Sequence, residues 1–229
     1  MVAMFAVYLR FNPTPGDAET VAALVVSQPS SFSAPLRKIV AARPVTQRVA
    51  QSQPPIHIGL IAGHTGNDSG AVCADGLTEA QINLTIAQGV AQRLRDVGIH
   101  TDVLLEFDPR LPGYDGTALI SIHADSCDYF NDQATGFKIA GSGYADSSQL
   151  SICVEHAYQE ATGLPYHANT ITPHMTDYHA FREIAIGTQA IIIEVGFMNL
   201  DRQLLTTNVD QPINGITNGI LCFLRENGS

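Results

Sequence analysis

Charge is scarce in this chain, and positive charge most of all: Asp, Glu, Lys and Arg make up 15% of its 229 residues, and 12 basic side chains face 22 acidic ones, for a net charge of -10. Nucleic-acid binders concentrate Lys and Arg along the phosphate path, so this balance argues against DNA and RNA as partners. Long apolar runs are also missing. The stretch from Val2 to Leu9 is apolar but far short of the ~20 residues that a transmembrane span needs, and no basic segment precedes it as in a secretory signal. It reads as a buried or frayed segment, with the tail of an anchor as the alternative. None of the four cysteines has a CxxC partner, which argues against a zinc ribbon or a thioredoxin-like site. Cys153 and Cys222 fall in helical apolar patterns and read as core thiols. Cys73 and Cys127 lie in loops, where a disulfide and reduced thiols are both open. There is no GxxxxGK[ST] phosphate loop and no Gly-x-Ser-x-Gly nucleophile elbow.

Against these absences stands an alternation of strand-like and helix-like segments, the pattern of an α/β layer fold. Residues 1–54 are punctuated by Pro13, Pro15, Pro29, Pro35, Pro44 and Pro54 and read as an N-terminal extension or tether. Residues 55–229 read as a single catalytic domain. Apolar runs over 56–63, 100–105, 118–122, 135–140 and 190–193 predict strands. Thr78 with Gln81 three residues on forms a capping box, and Ile82, Ile86, Val90 and Leu94 recur at fourfold spacing, so a helix starts there and stops at Gly98. Two further helices are predicted over 146–162 and 211–226.

Chemistry concentrates where these runs end. His64 closes the first strand, His123 the third and Glu194 the last, while Glu79 opens the first helix. Side chains emerging at strand ends converge on one edge of a sheet, where open α/β folds bind ligands. Two imidazoles and a carboxylate are a three-ligand set for one catalytic zinc ion, with the fourth position left to water. Glu194 interrupts Ile191-Ile192-Ile193 and Val195-Gly196-Phe197; a carboxylate in a buried strand must be paired, protonated or facing a cavity. Asp68 and Asp125 are candidates for orienting imidazole N–H groups, with Asp68 equally readable as a turn residue. His174 and His179, in a loop over 172–179, are candidates for the groove or for oxyanion donation.

Four ordered stretches carry a resemblance: Ile61-Ala62-Gly63-His64-Thr65-Gly66-Asn67-Asp68-Ser69-Gly70-Ala71, Leu77-Thr78-Glu79-Ala80-Gln81-Ile82-Asn83-Leu84, Ser121-Ile122-His123-Ala124-Asp125 and Ile193-Glu194-Val195-Gly196-Phe197-Met198-Asn199. Together they resemble the zinc-dependent N-acetylmuramoyl-L-alanine amidases of the Amidase_3 type, over about residues 56–226. The resemblance implies a mixed, twisted sheet flanked by helices on both faces. It also implies His64, Glu79 and His123 as zinc ligands, Glu194 as the catalytic carboxylate, and peptidoglycan or muropeptides as substrate. The reaction would be hydrolysis of the amide between N-acetylmuramic acid and L-alanine, at an extracellular, periplasmic or wall-associated location, by a protein expected to be a monomer. The chain departs from the family in Asp125, where members often carry Asn, and in a short segment before His123 that keeps only Arg110. It also lacks room for the regulatory helix that some members insert after the fourth strand, so an open site is expected. The alternatives are a zinc carboxypeptidase, with Lys138, Arg182 or Arg202 holding a terminal carboxylate, and an inactive wall-binding module.

Overall fold

Five strands form one sheet in the order β2-β1-β3-β5-β4 in a computed structural model that describes residues 55–227. The strands are β1 (His57–Ala62), β2 (His100–Leu104), β3 (Ala118–Asp125), β4 (Lys138–Gly141) and β5 (Gln189–Phe197). The first three and β5 are parallel to their neighbours, and β4 joins β5 antiparallel, so the sheet is mixed. The expected N-terminal extension, residues 1–54, lies outside the described residues. No helix among the described residues is long and apolar enough to cross a membrane.

The central strands are near-continuous apolar runs because both faces are covered. One face holds α1 (Glu79–Asp96), α2 (Ser148–Thr162) and α6 (Asp210–Asn227). Ile82, Ile86, Val90 and Leu94 of α1 meet Ile58 and Leu60 of β1 there, beside Val154 and Tyr158 of α2 and Ile216, Ile220 and Phe223 of α6. The capping box of α1 forms in both directions between Thr78 and Gln81. A cap contributes about 1 kcal/mol, whereas each fully buried Ile, Leu or Val contributes about 1.5–3 kcal/mol. Packing of the stripe therefore dominates, and the cap mainly fixes where the helix begins. The opposite face carries α3 (Pro173–Thr176) and α4 (His179–Glu183). Here Leu111, Tyr114, Met175 and Phe181 cover Ile61, Leu119 and Ile192. A last short helix, α5 (Arg202–Thr206), precedes α6.

Three expectations change. The strand expected over 135–140 starts only at Lys138, because the chain before it turns to Asp201: the Thr135 hydroxyl donates to Oδ1 at 2.5 Å and the Gly136 N–H to Oδ2 at 3.0 Å. The span 172–179, expected as loop, includes α3 and the start of α4. Cys153 and Cys222, expected as core thiols, are joined in a disulfide, since α2 and α6 pack together and bring their Cα atoms within 5.7 Å. Cys73 and Cys127, for which thiol and disulfide are both open in the sequence, are also joined, with Cα atoms 5.3 Å apart.

The sheet order positions the site. From β1 the chain crosses over α1 to β2 on one side, while β3 lies on the other side of β1. The order reverses between β1 and β3, and ligands bind beyond the carboxyl ends of strands at such a crevice. His64 follows β1 and His123 lies near the end of β3.

Candidate metal centre

Immediately after β1, the N–H of Gly63 donates to Ile122 O at 3.0 Å. His64 then adopts a φ of 63°, the one positive value at a non-glycine residue among the described residues. Such a conformation costs on the order of 1 kcal/mol and persists only where its surroundings hold it. The holding group is Glu106, whose Oε2 accepts the His64 N–H at 2.7 Å. The ring is fixed on its outer side by Asp68, with Nδ1 2.6 Å from Oδ1. Its Nε2 is thereby presented to Glu79 Oε1 at 3.3 Å.

Glu79 stands in the first turn of α1, where the helix dipole favours a carboxylate. Its Oε1 lies 3.1 Å from His123 Nδ1 and accepts from Ala124 N–H at 3.2 Å and Asn83 Nδ2 at 3.3 Å. Its Oε2 accepts from Ala71 N–H at 3.1 Å. Two glycines make the approach possible. A Cβ on Gly63 would sit 2.4 Å from the His123 ring, and one on Gly70 would sit 2.5 Å from Glu79 Oε2.

His64, Glu79 and His123 thus offer one ligand atom each, all within 4.8 Å of one another. Zinc bonds of 2.0–2.2 Å at tetrahedral angles place neighbouring ligand atoms roughly 3.3 Å apart. The two measured nitrogen–oxygen separations, 3.1 and 3.3 Å, agree with that edge. A second group, His57, His100 and Asp102, falls within the same reach at the opposite end of β1 and β2. It does not fit a metal as well. His57 Nε2 is hydrogen-bonded to Asp102 Oδ2 at 2.8 Å, Tyr114 Oη crowds both atoms at 2.9 and 3.2 Å, and Arg110 holds the other oxygen at 3.3 Å.

Electrostatics bear on the first cluster. A hydrogen bond to Glu79, aided by Asp68, pushes the His64 pKa up to about 9. Burial works against a charge on His123, yet Glu79, Glu194 and Glu106 raise its pKa. Burial likewise works against a charge on Glu79, but the two imidazoles hold it well below the usual carboxylate range. Four carboxylates, Asp68, Glu79, Glu106 and Glu194, around two imidazoles form a site that attracts positive charge, which protons or a divalent cation can supply.

Glu194 lies beside His123 on β5 and opposite Lys138 on β4. Its Oε2 is buried without a hydrogen-bond partner, and burial pushes its pKa up to about 7, with His123 opposing. Lys138 is committed elsewhere: its Nζ donates to Asp125 Oδ2 at 2.5 Å, 5.7 Å from the centre of the Phe197 ring. Asp125 is therefore the partner of a buried lysine, and it orients no imidazole. Both line a cleft of about 380 Å³ with Phe130, Asn131, His167 and Phe197.

Of the other candidates, Asp68 is brought to the site through its bond to His64. His179 reaches its periphery, with Nε2 3.0 Å from Glu106 Oε1 and Nδ1 2.9 Å from Glu183 Oε1. His174 is exposed on α3 and makes none of the site's contacts. Glu106 and Tyr178 escape sequence reading, although both are buried here and the Tyr178 hydroxyl donates to Glu106 Oε1 at 2.8 Å. A signal for Glu106 does exist: it is a carboxylate just past the predicted end of a strand, as His64 is past β1. Between β4 and α2 the chain runs directly, with no inserted helix, and the His64 side chain keeps 28% exposure, so this imidazole is open to solvent.

Comparison with known proteins bears on this geometry. Residues 58–222 match the family model described as N-acetylmuramoyl-L-alanine amidase. Among solved structures, the N-acetylmuramoyl-L-alanine amidase AmiC2 of Nostoc punctiforme is 26% identical, covering 74% of this chain and 97% of its own, with a TM-score of 0.57. The catalytic domain of CwlV, an amidase from Bacillus (Paenibacillus) polymyxa var. colistinus, is 24% identical over 74% and 98% of the two chains, with a TM-score of 0.57. An amidase from Clostridium difficile 630 shares the fold at 21% identity over 75% and 97%, with a TM-score of 0.60. A search of curated protein sequences gave no match.

Proposed function

The chain belongs to the N-acetylmuramoyl-L-alanine amidase family (Amidase_3), and from that premise we propose that it cleaves peptidoglycan with one zinc ion held by His64 Nε2, Glu79 Oε1 and His123 Nδ1, and with Glu194 as the proton carrier. The observation that carries this reading is the convergence of one ligand atom from each residue within 4.8 Å, with both imidazoles at 3.1 and 3.3 Å from Glu79 Oε1, beside the half-buried Glu194, whose Oε2 is buried and unpaired. The family's activity is hydrolysis of the amide between N-acetylmuramic acid and L-alanine. When bound, zinc supplies the Lewis acidity that polarises an amide carbonyl and acidifies a water.

The remaining work belongs to the chain. Asp68 fixes the His64 ring through Nδ1 so that Nε2 faces inward. Glu194, held near pKa 7 by burial, takes a proton from the attacking water and passes it to the departing amine of L-alanine. The cleft with Phe130 and Phe197 as walls would give the stem peptide a place, and Lys138 in its lining stands opposite Glu194 on the adjoining strand. Residues 55–229 would be the catalytic domain. Two disulfides fit an oxidising compartment, and the substrate itself is found there, so we place the protein outside the cytoplasm or at the wall. The cations considered for a carboxypeptidase are already paired: Lys138 with Asp125, Arg182 with Asp177 and Arg202 with Asp75.

The test is digestion of purified peptidoglycan with mass spectrometry of the fragments, with and without chelator and zinc add-back, alongside Glu194→Ala. Stem peptides released with a free L-alanine amino terminus, absent after chelation and in the variant, are the expected result. Cleavage inside the stem would replace the reading with a peptidase, and binding without products would replace it with a wall-binding module.

A further inference from the structure

Glu106, outside the proposed ligand set, gathers four groups of the site around its carboxylate. It lies just past β2, and its own N–H donates to Thr65 O at 3.1 Å, which ties it to the turn that carries His64. Its Oε2 accepts the N–H of His64 at 2.7 Å and faces His123 Nε2 at 3.7 Å. Its Oε1 accepts from the Tyr178 hydroxyl at 2.8 Å and lies 3.0 Å from His179 Nε2. The carboxylate is buried, and a buried carboxylate is tolerated only when its lone pairs are filled.

The outer nitrogen of His123 has no hydrogen-bond partner and is itself buried. A neutral imidazole that gives one nitrogen to a metal carries its proton on the other, and metal-ligating histidines almost always donate that proton to a carboxylate, a carbonyl or a water. The acidic oxygen facing His123 Nε2 belongs to Glu106; a closing shift of roughly 0.5 Å would bring the pair to hydrogen-bond distance. Tyr178 flanks the same ring edge-on, with centroids 5.6 Å apart, which restricts the ring to small movements.

We propose that Glu106 is a positioning residue for the metal centre, holding the His64 backbone in its left-handed conformation and receiving the Nε2 proton of His123 so that Nδ1 faces the metal. Tyr178 and His179 steady the carboxylate from its other side. This assignment rests on the proposed zinc site. It adds that the site is built from the β2 end as well as from β1, β3 and α1.

Glutamine at this position removes the charge and one of the two accepting oxygens. Its amide N–H₂ must face either the His64 N–H and His123, which donate, or Tyr178 and His179, which would then have to turn from donating to accepting. The experiment measures zinc affinity by competition with a chromophoric chelator in the parent, Glu106→Gln and the surface control Arg182→Gln. The expected result is a 10- to 100-fold weaker zinc affinity in Glu106→Gln, together with an altered visible spectrum of the cobalt-substituted protein, while Arg182→Gln matches the parent. Nitrogen-15 NMR of the zinc-loaded parent supplies a readout that needs no variant: His123 should be ligated through Nδ1 with a slowly exchanging proton on Nε2. Ligation through Nε2, or zinc affinity in Glu106→Gln within twofold of the parent, overturns the assignment. A parent that binds no zinc overturns the metal-site reading first.

Discussion

At the scale of single residues, Glu194 shows how function and stability oppose each other. Its folded pKa of about 7 lies above the ordinary carboxyl value of 4.5, so the folded protein holds this proton more tightly than the unfolded chain. Below pH 4.5 both states are protonated and nothing is lost. Above pH 7 both are ionised, and burying the charge costs on the order of 3 kcal/mol, since each tenfold change in proton affinity is worth about 1.4 kcal/mol. Glu194→Gln should therefore stabilise the metal-free protein at pH 8 and leave it unchanged at pH 4, as urea unfolding would show. The same variant should lower turnover by about 10²- to 10⁴-fold, because it removes the proposed proton carrier. Stability equal to the parent at pH 8 would mean that the carboxylate is solvated in solution. Gly63 gives a second residue-scale prediction. Gly63→Ala places a Cβ 2.4 Å from the His123 ring, so it should abolish tight zinc binding while α1 and the sheet stay folded by circular dichroism.

At the scale of elements, the disulfides divide the labour. Cys73–Cys127 joins the loop between His64 and Glu79 to the segment that follows His123, so it brackets the proposed metal site, whereas Cys153–Cys222 joins α2 to α6 and holds no segment that carries a proposed ligand. With the partners 54 and 69 positions apart in sequence, loop entropy gives each about 4 kcal/mol. Replacing either pair by serine should lower the urea midpoint by similar amounts, but only the Cys73/Cys127 replacement should weaken zinc binding. Equal zinc affinity in both variants would assign the first disulfide a global role alone. Elements also show where sequence reading stops. The helix α1 is legible because a capping box and a fourfold apolar stripe agree, and the strands because β1, β3 and β5 are buried on both faces. The helices α3 and α4 are not, since four and five residues cannot display a period and form only through burial of Met175 and Phe181 against the sheet. His64, Glu79 and His123 can be read because each marks the boundary of a legible element. Tyr178 stays hidden because it belongs to the α3–α4 segment, which reads as loop in the sequence, and Glu106 shows only its place past a strand end, since its importance lies in the partners it meets.

For the whole molecule, the metal cluster sets how stability follows pH. Glu79 and Glu106 have folded pKa values below the ordinary 4.5, Glu106 at about 2, through hydrogen bonds that outweigh burial. Their stabilisation is complete above about pH 4.5 and is lost as pH falls through the folded values. His64, raised from 6.5 to about 9 by Glu79, contributes fully below pH 6.5 and loses that contribution as pH rises through 9. Glu194 adds its cost over the interval from 4.5 to 7. The three trends leave the metal-free protein most stable near pH 5 to 6. By the proposed ligand set, zinc should reverse the alkaline side, because it needs neutral imidazoles and its affinity would grow as His64 and His123 lose their protons. Thermal melts from pH 4 to 9 should therefore peak near pH 5 to 6 in chelator, and the gain on adding zinc should widen steadily toward pH 9. A zinc-induced gain that is flat with pH would show that no imidazole gives up a proton on binding, and would remove His64 and His123 from the ligand set together.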